Sequence, residues 1–360
     1  DFSTQTEDDV YAAIRSFEGR NLSVMVESEF TSWGNLTVTA DASSQENSRA
    51  YGIYNCHGSE IHIKTDSNKF MIKGKEAVGV YAGNDSGDKK SLVTLSGIGN
   101  FDFDVKGGKT TGMEAGKNGE ILRADPAQNY VRDVTVNSRK GYGLYAHDGG
   151  KIELHYVSVE APRGDALHAE RGGTIYAGSI GTVSGNITTD DASDSYIMAS
   201  VKGKLEGNVR GNVDLVLLRQ GIWNGKNEGV KSLVMNDGSL WNAADIETST
   251  FGELKGDNGI IRMNKNGAGL NIRNLAGRIV FAFVRDGTQA DKVLGGNVVI
   301  DKADKNTSVT VFTDSTGLGT AEESVKRHVL EQLASRLFYT GYTQGEKNIS
   351  GTVKIGEGLT

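Results

Sequence analysis

The chain has 360 residues, with 48 Gly, 2 Pro, 1 Cys, 37% hydrophobic residues and a formal net charge of −7 at pH 7. Glycine is near twice its usual ~7% and proline far under its usual ~5%, which rules out collagen, polyproline linkers and Pro-rich disorder. The acidic balance, with no Lys/Arg cluster, argues against a nucleic-acid partner and against unaided docking on an anionic membrane.

Residues 1–20 read as an N-terminal cap. Asp1-Phe2-Ser3-Thr4 has neither the basic region nor the apolar run of a signal peptide. Thr6-Glu7-Asp8-Asp9 precedes Val10, Ile14 and Phe17, the spacing of a short capped amphipathic turn of helix. No apolar stretch approaches the ~18 residues of a membrane-spanning helix.

Residues 21–245 repeat themselves. A string recurs as Gly52-Ile53-Tyr54-Asn55, Gly79-Val80-Tyr81-Ala82, Gly112-Met113-Glu114-Ala115, Gly143-Leu144-Tyr145-Ala146, Ala166-Leu167-His168-Ala169 and Tyr196-Ile197-Met198-Ala199. Start-to-start spacings are 27, 33, 31, 23 and 30 by subtraction, inside the window of solenoid repeats. After each string comes a short turn, usually with Gly, and then an alternating strand. Examples are His57-Gly58 before Ile61 and Ile63, Gly149-Gly150 before Ile152 and Leu154, and Gly172-Gly173 before Ile175 and Ala177. Asn236-Asp237-Gly238 before Leu240 reads as a later copy.

Period-2 alternation is common from about residue 20 to 315, and helical spacing is nearly absent there. Leu22/Val24/Val26, Phe101/Phe103/Val105 and Val134/Val136 are typical. Irregular cycles that reuse one string suit an all-β parallel β-helix better than a sandwich. One cycle cannot bury its inward side chains alone; stacking cycles ~4.8 Å apart gives every strand a partner on each side. Roughly ten turns, on the order of 50 Å of solenoid, are expected. Asn84–Lys90 and Ala124–Tyr130 read as loops that lengthen two cycles.

Residues 246–319 continue the strand pattern. Residues 320–360 hold the clearest helix, Glu322 to Phe338, with Val325, Val329, Leu330, Leu333 and Leu337 on one face. A strand-like run, Ile349 through Ile355, then leads toward Thr360, and a following module is expected. Cap and helix would cover the ends of the stack against edge-to-edge aggregation.

The Gly-apolar-Tyr-Ala string followed by Gly-Gly and an alternating strand resembles the passenger domains of pertactin-like autotransporters. A second stretch resembles that family's distal passenger motif: Gly238-Ser239-Leu240-Trp241-Asn242, Phe251-Gly252-Glu253-Leu254, Leu270-Asn271-Ile272, Leu275-Ala276-Gly277, Phe281-Ala282-Phe283, Asp291-Lys292-Val293 and Gly295-Gly296-Asn297-Val298. The ending, Leu333-Ala334, Tyr339-Thr340-Gly341-Tyr342, Gly345-Glu346 and Glu357 to Thr360, is similar to segments of very large autotransporters of anaerobic diderm bacteria such as Veillonella. The resemblance covers about three quarters of the chain. It implies a right-handed β-helix, with residues 246–319 folding early as an autochaperone-like segment. It implies export across the outer membrane to the surface of a Gram-negative cell, with tethering only through a barrel that this chain lacks. The implied function is that of an adhesin. Its partners would be host or bacterial surface glycans or proteins, with self-association also open. Lone Cys56 suits the reading, since disulfide loops hinder threading through a narrow pore.

Asn84-Asp85-Ser86-Gly87-Asp88 resembles the nucleophile loop of trypsin-like enzymes, but a triad also needs a placed His and Asp. A solvated loop between cycles is favoured. Polysaccharide lyases and hydrolases need clustered or paired acids. Asp190-Asp191 with Asp194 is the densest such group, and it reads as a polar turn. Asp102 and Asp104 read as the wet face of a strand. A carbohydrate-active β-helix and a bare structural stalk stay as alternatives to the adhesin.

His147 and His168 read as equivalent positions in successive cycles, with His57 after its own string and His62 and His155 in following strands. No metal-ligand spacing accompanies them, so neither metal nor cofactor is expected. Alternation sets Ile53, Val80 and Leu144 on one face and Tyr54, Tyr81 and Tyr145 on the other. With His147 and His168, these tyrosines are the candidate ligand-binding residues, as a strip able to receive sugar rings or peptide side chains. The plainer reading is a ladder that only stabilises neighbouring strands.

Overall fold

The computed structural model describes residues 5–7, 10–16, 21–25, 35–42, 49–64, 67–96, 100–123, 134–138, 140–190, 194–243, 248–265, 267–289, 291–314, 318, 321–341 and 349–356. The fold is all-β, with one α-helix among the described residues, Glu323–Ala334. Two compact units divide the chain at 200/201.

In the first unit each cycle of sequence supplies a strand to each of three parallel ladders. The first ladder runs through Val10–Ser16 and Arg49–Asn55, the ends of Ser67–Ala82 and Phe101–Ala115, then Gly141–His147 and the ends of Val157–Glu170 and Thr174–Thr189. The second takes Asn21–Met25, Glu60–Lys64, Ser91–Ser96, Gly119–Arg123, Lys151–His155 and the start of Thr174–Thr189. The third joins Asn35–Asp41 to the first halves of Ser67–Ala82 and Phe101–Ala115, then to Val134–Ser138 and the first half of Val157–Glu170. Ser67–Ala82 is 16 residues long because it passes from the third ladder into the first without a break, while in the cycle before it Asn35–Asp41 and Arg49–Asn55 are separate strands.

Alternation decides which side chains face inward. Ile14, Ile53, Val80, Met113, Leu144, Leu167 and Ile187 pair in register down the first ladder. All are buried, Ile53 through Ile187 completely. Phe70 and Phe103 stack in the third ladder, 4.5 Å between ring centroids and 12° from parallel.

The glycines of the string sit where cycles touch. A Cβ on Gly52 would come within 2.6 Å of Gly79 O, and one on Gly143 within 2.5 Å of Ala166 O. The turns between first and second ladder use left-handed residues. His57-Gly58, Asp148-Gly149 and Arg171-Gly172 have φ of 58 and 71, 52 and 80, and 47 and 79°. Two successive positive φ values turn the chain sharply within two residues, and Gly takes the second of them without a Cβ penalty.

Three expectations need correction. Val10–Ser16 is a strand, hydrogen-bonded parallel to Arg49–Asn55 and antiparallel to Gln5–Glu7, and not a capped helical turn. Ile14 completes the inward column against Ile53, and that pairing outweighs the local i, i+4 spacing. Phe17 lies outside the described residues, as does Ala124–Tyr130. The sixth string is Asn186–Thr189, paired with Asp165–Ala169, not Tyr196–Ala199. Tyr196 instead donates its backbone N–H to Gly173 O, as Thr174 does to Gly150 O, so it follows the second ladder. The terminal helix stops at Ala334 rather than Phe338, because Leu337–Tyr339 pairs with Val298–Ile300.

In the second unit one column runs Trp223, Trp241, Ile261, Phe281, Val311 and Val353. Trp223 and Trp241 are fully buried and stacked, 4.7 Å apart and 15° from parallel, and each indole donates to a carbonyl, Gly207 O at 2.9 Å and Gly225 O at 3.0 Å. The helix buries Val329 and Leu333. Gln332 anchors it, donating to Asp291 O at 2.6 Å and accepting from Val293 N at 3.1 Å. Ile349–Gly356 is a strand, paired along its length with Thr307–Asp314.

Candidate functional site

The residues that follow the inward column form an outward column of their own. Arg15 pairs with Tyr54, Tyr54 with Tyr81, Tyr81 with Glu114, Glu114 with Tyr145, Tyr145 with His168 and His168 with Thr188. Tyr54, Tyr81 and Tyr145 are half-buried, and His168 is 8% exposed. The alternation that sends Ile53, Val80 and Leu144 inward sends these side chains to one flank.

The column is two clusters rather than one continuous aromatic strip. In the first, Tyr54 stacks on Tyr81 at 5.2 Å and 14°, and Tyr51 meets both edge-on at 4.8 and 5.9 Å. Arg15 caps the stack 5.6 Å from the Tyr54 centroid. Each such ring pair contributes about 0.5–1.5 kcal/mol beyond its burial. Burial pushes the Tyr54 phenol up to about 12 and holds those of Tyr51 and Tyr81 above their ordinary value. These hydroxyls stay protonated at any physiological pH.

Glu114 divides the column, and the second cluster is polar. Tyr142 stacks on Tyr145 at 4.4 Å and on His168 at 4.7 Å, and Tyr145 stacks on His147 at 4.6 Å. Tyr145 Oη donates to Glu170 Oε1 at 2.6 Å. Burial, then this bond to Glu170, raises the Tyr145 phenol well above its ordinary range. His168 Nδ1 lies 2.7 Å from Thr188 Oγ1 and 3.2 Å from Asp165 Oδ2, and its Nε2 lies 3.4 Å from Glu170 Oε2. Thr188 in turn donates to Asp165 at 2.8 Å, so it accepts from the His168 Nδ1–H. Arg171 bridges Glu170 and Asp148 and donates to the latter from Nε at 2.6 Å.

His147 is not equivalent to His168. It pairs with Glu170, two residues further along the strand, and sits between carboxylates, Nδ1 2.7 Å from Asp148 and Nε2 3.2 Å from Glu114. Burial, the largest single influence, would lower its pKa; the two carboxylates together outweigh it and leave it above the ordinary 6.5. Asp148 is held well below its ordinary value, foremost by the Arg171 guanidinium.

The signs give a pH window. A raised His147 contributes stability that is complete below its unfolded value near 6.5 and is lost as pH rises through the folded value. A depressed Asp148 contributes above its unfolded value near 3.8 and loses this as pH falls. The corner is therefore strongest between those two unfolded values. An NMR titration should place the His147 midpoint above 6.5, and His147→Gln should flatten the decline in stability on the alkaline side. A midpoint at or below 6.5 would show the carboxylates to be elsewhere.

The other titratable candidates do not converge. His57 Nδ1 lies 2.9 Å from the buried Cys56 Sγ, whose thiol is raised chiefly by burial. His62 lies 2.9 Å from Thr94 Oγ1 and 3.2 Å from Glu60. Ser86 Oγ donates to Asn84 Oδ1, not to an imidazole, and Asn84 Nδ2 closes its loop on Lys89 O at 2.6 Å. Asp190 accepts from the Arg171 backbone N–H at 2.9 Å, a turn contact; Asp191 lies outside the described residues. Among the described residues no group of three or more His, Cys, Asp or Glu is arranged to hold a metal.

Sequence reasoning passed over Glu114, Tyr51 and Tyr142. Glu114 stood in the string itself, at the tyrosine position. Tyr51 and Tyr142 lie three residues before Tyr54 and Tyr145, which strict alternation assigns to the opposite face. No protein-family model matches the chain, and neither a curated protein nor a solved structure matches it.

Proposed function

We propose that the chain is a fragment of an autotransporter adhesin passenger. In this reading its stacked cycles are turns of a right-handed parallel β-helix, exported across the outer membrane of a diderm bacterium. It attaches the cell to glycans or proteins on host or microbial surfaces, or to further copies of itself. The observation that carries the reading is the register-matched column from Arg15 to Thr188, which delivers one outward side chain per cycle to one flank. Three parallel ladders visited in turn support the β-helix, because a sandwich has no reason to return to one ladder every cycle. Attachment along such a flank is shallow and multivalent, gaining strength from repeated weak contacts.

The test compares the fragment with its Tyr54→Ala/Tyr81→Ala/Tyr145→Ala variant on glycan arrays and on host and bacterial cells. Circular dichroism confirms that both are folded. A loss of roughly tenfold or more in binding is expected. The corresponding Tyr→Phe variant keeps the stacks and separates ring contact from collapse of the ladder. Equal binding by all three discards this flank as the attachment surface. Calcium-dependent loss of a polyuronate substrate would replace attachment by cleavage.

A further inference from the structure

The tyrosines of the first ladder are half-covered by one another; the second ladder carries a more open aromatic surface. Ile152, Leu154, Ile175 and Ala177 face inward there, at 2% exposure or less. Lys151, Glu153, His155 and Tyr176 therefore face outward, with Glu153 beside Tyr176 in register. Ile197 and Ala199 are fully buried in the same way, which turns Met198 out. Among the described residues of the first unit, Tyr176 at 36% and Met198 at 39% are the exposed large hydrophobic side chains. Both line one open groove of about 610 Å³, together with Glu120, Lys151, Glu153 and His155.

The parts of this groove are sorted by chemistry. The Tyr176 ring is steadied edge-on by Tyr196, with centroids 5.8 Å apart at 65°. Lys151 Nζ stands 5.5 Å from the Tyr176 centroid and 2.7 Å from Glu153. Glu120 is paired with Lys90. Gly178, opposite His155 in register, lets the imidazole lie against the strand, where a Cβ would meet Nδ1 at 2.5 Å. The surface thus offers an apolar floor flanked by carboxylate acceptors, an ammonium donor and an imidazole.

Both carboxylates carry their own cation, so among the described residues the groove has no uncompensated acid to attract a cationic ligand and no unpaired ammonium to attract an anionic one. A neutral ligand with one apolar face and a rim of hydroxyls matches it. That is a pyranose ring: its C–H face covers an aromatic side chain while its hydroxyls donate to carboxylates.

We infer that the Tyr176–Met198 groove is a binding subsite for one or two pyranose rings of a neutral glycan. The sugar lies over Tyr176 and Met198, its hydroxyls donate to Glu153 and Glu120, and Lys151 moves from the ring to a sugar oxygen. The inference is independent of the first-ladder column and of any role in attachment.

Saturation-transfer NMR on the whole fragment tests it, with methyl β-galactopyranoside, cellobiose and lactose as neutral probes and a galacturonate trimer as the charged one. Transfer to at least one neutral probe is expected, with shifts at Tyr176 and the Met198 methyl. Tyr176→Ala should weaken binding at least roughly tenfold, while Tyr176→Phe and the triple first-ladder variant retain it. The inference is overturned by any of three results: no transfer to any neutral probe at about 20 mM, well above a millimolar Kd; unchanged binding by a folded Tyr176→Ala; or a preference for the galacturonate trimer.

Discussion

Gly112→Val is expected to destabilise the first unit by roughly 3 kcal/mol, the upper end for overpacking a filled interior. Gly112 lies between Thr111 and Met113, where one cycle of the first ladder packs against the next. A Cβ there would overlap Val136 Cγ1 and come within 2.5 Å of Gly143 O. The valine side chain can rotate away, but the carbonyl belongs to the ladder and cannot. Gly52, Gly79 and Gly143 meet the next cycle's carbonyl in the same manner, so relief at one level moves the clash to another. Urea unfolding measures the loss. Gly149→Ala supplies the contrast: its φ is 80° and nothing lies within 4 Å of an added Cβ, so only the left-handed backbone costs, about 1 kcal/mol. If Gly112→Val unfolds at the same urea concentration as the parent, the cycles are not in contact through that column.

Trp241→Ala should cost about 3–5 kcal/mol in the second unit, the usual loss for a buried aromatic. Three contacts disappear together: the stack on Trp223, the edge contact with Phe251 at 5.3 Å, and the indole N–H bond to Gly225 O. Alanine leaves a cavity that the neighbouring strands Ile222–Gly225 and Ser249–Met263, tied in register to Leu240–Ala243, cannot collapse to fill. Trp241→Phe keeps most of the ring and leaves only the carbonyl unsatisfied, so about 1–3 kcal/mol is expected. Denaturant titration followed by far-ultraviolet circular dichroism reports both, since that signal follows the strands and survives loss of the indole. A loss under about 1 kcal/mol for the alanine variant would mean the two rings are not packed as described.

The inward side of the fold was legible from local pattern. Ile53, Val80, Met113, Leu144 and Leu167 are consecutive members of one recurring string, and each is fully buried. The distal stretch was legible as strands, though the stack of tryptophans went unread: Ile222-Trp223-Asn224 recurs as Leu240-Trp241-Asn242, but only the register sets the two copies side by side. The amphipathic N-terminal run misled for a related reason. Val10, Ile14 and Phe17 carry helical spacing, yet Ile14 gains more by joining Ile53 than by forming an isolated turn of helix. The aromatic flank was half legible. The tyrosines were in view, but Glu114 and the polar partners Asp148, Asp165, Glu170 and Arg171 come from neighbouring cycles and turns.

Composition, alternation and the glycine-marked repeat determine an all-β chain with a defined inward face, because a period of two sorts side chains before any strand finds a partner. They also determine where the turns lie, since residues such as Gly58, Gly149 and Gly172 tolerate a left-handed backbone. Only the tertiary structure decided which cycle lies beside which, and hence which outward side chains meet. Register between cycles is a property of loop length and of shared packing, so Tyr54 meets Tyr81, Tyr81 meets Glu114, and Tyr176 opens beside Met198 through long-range pairing that no single strand encodes.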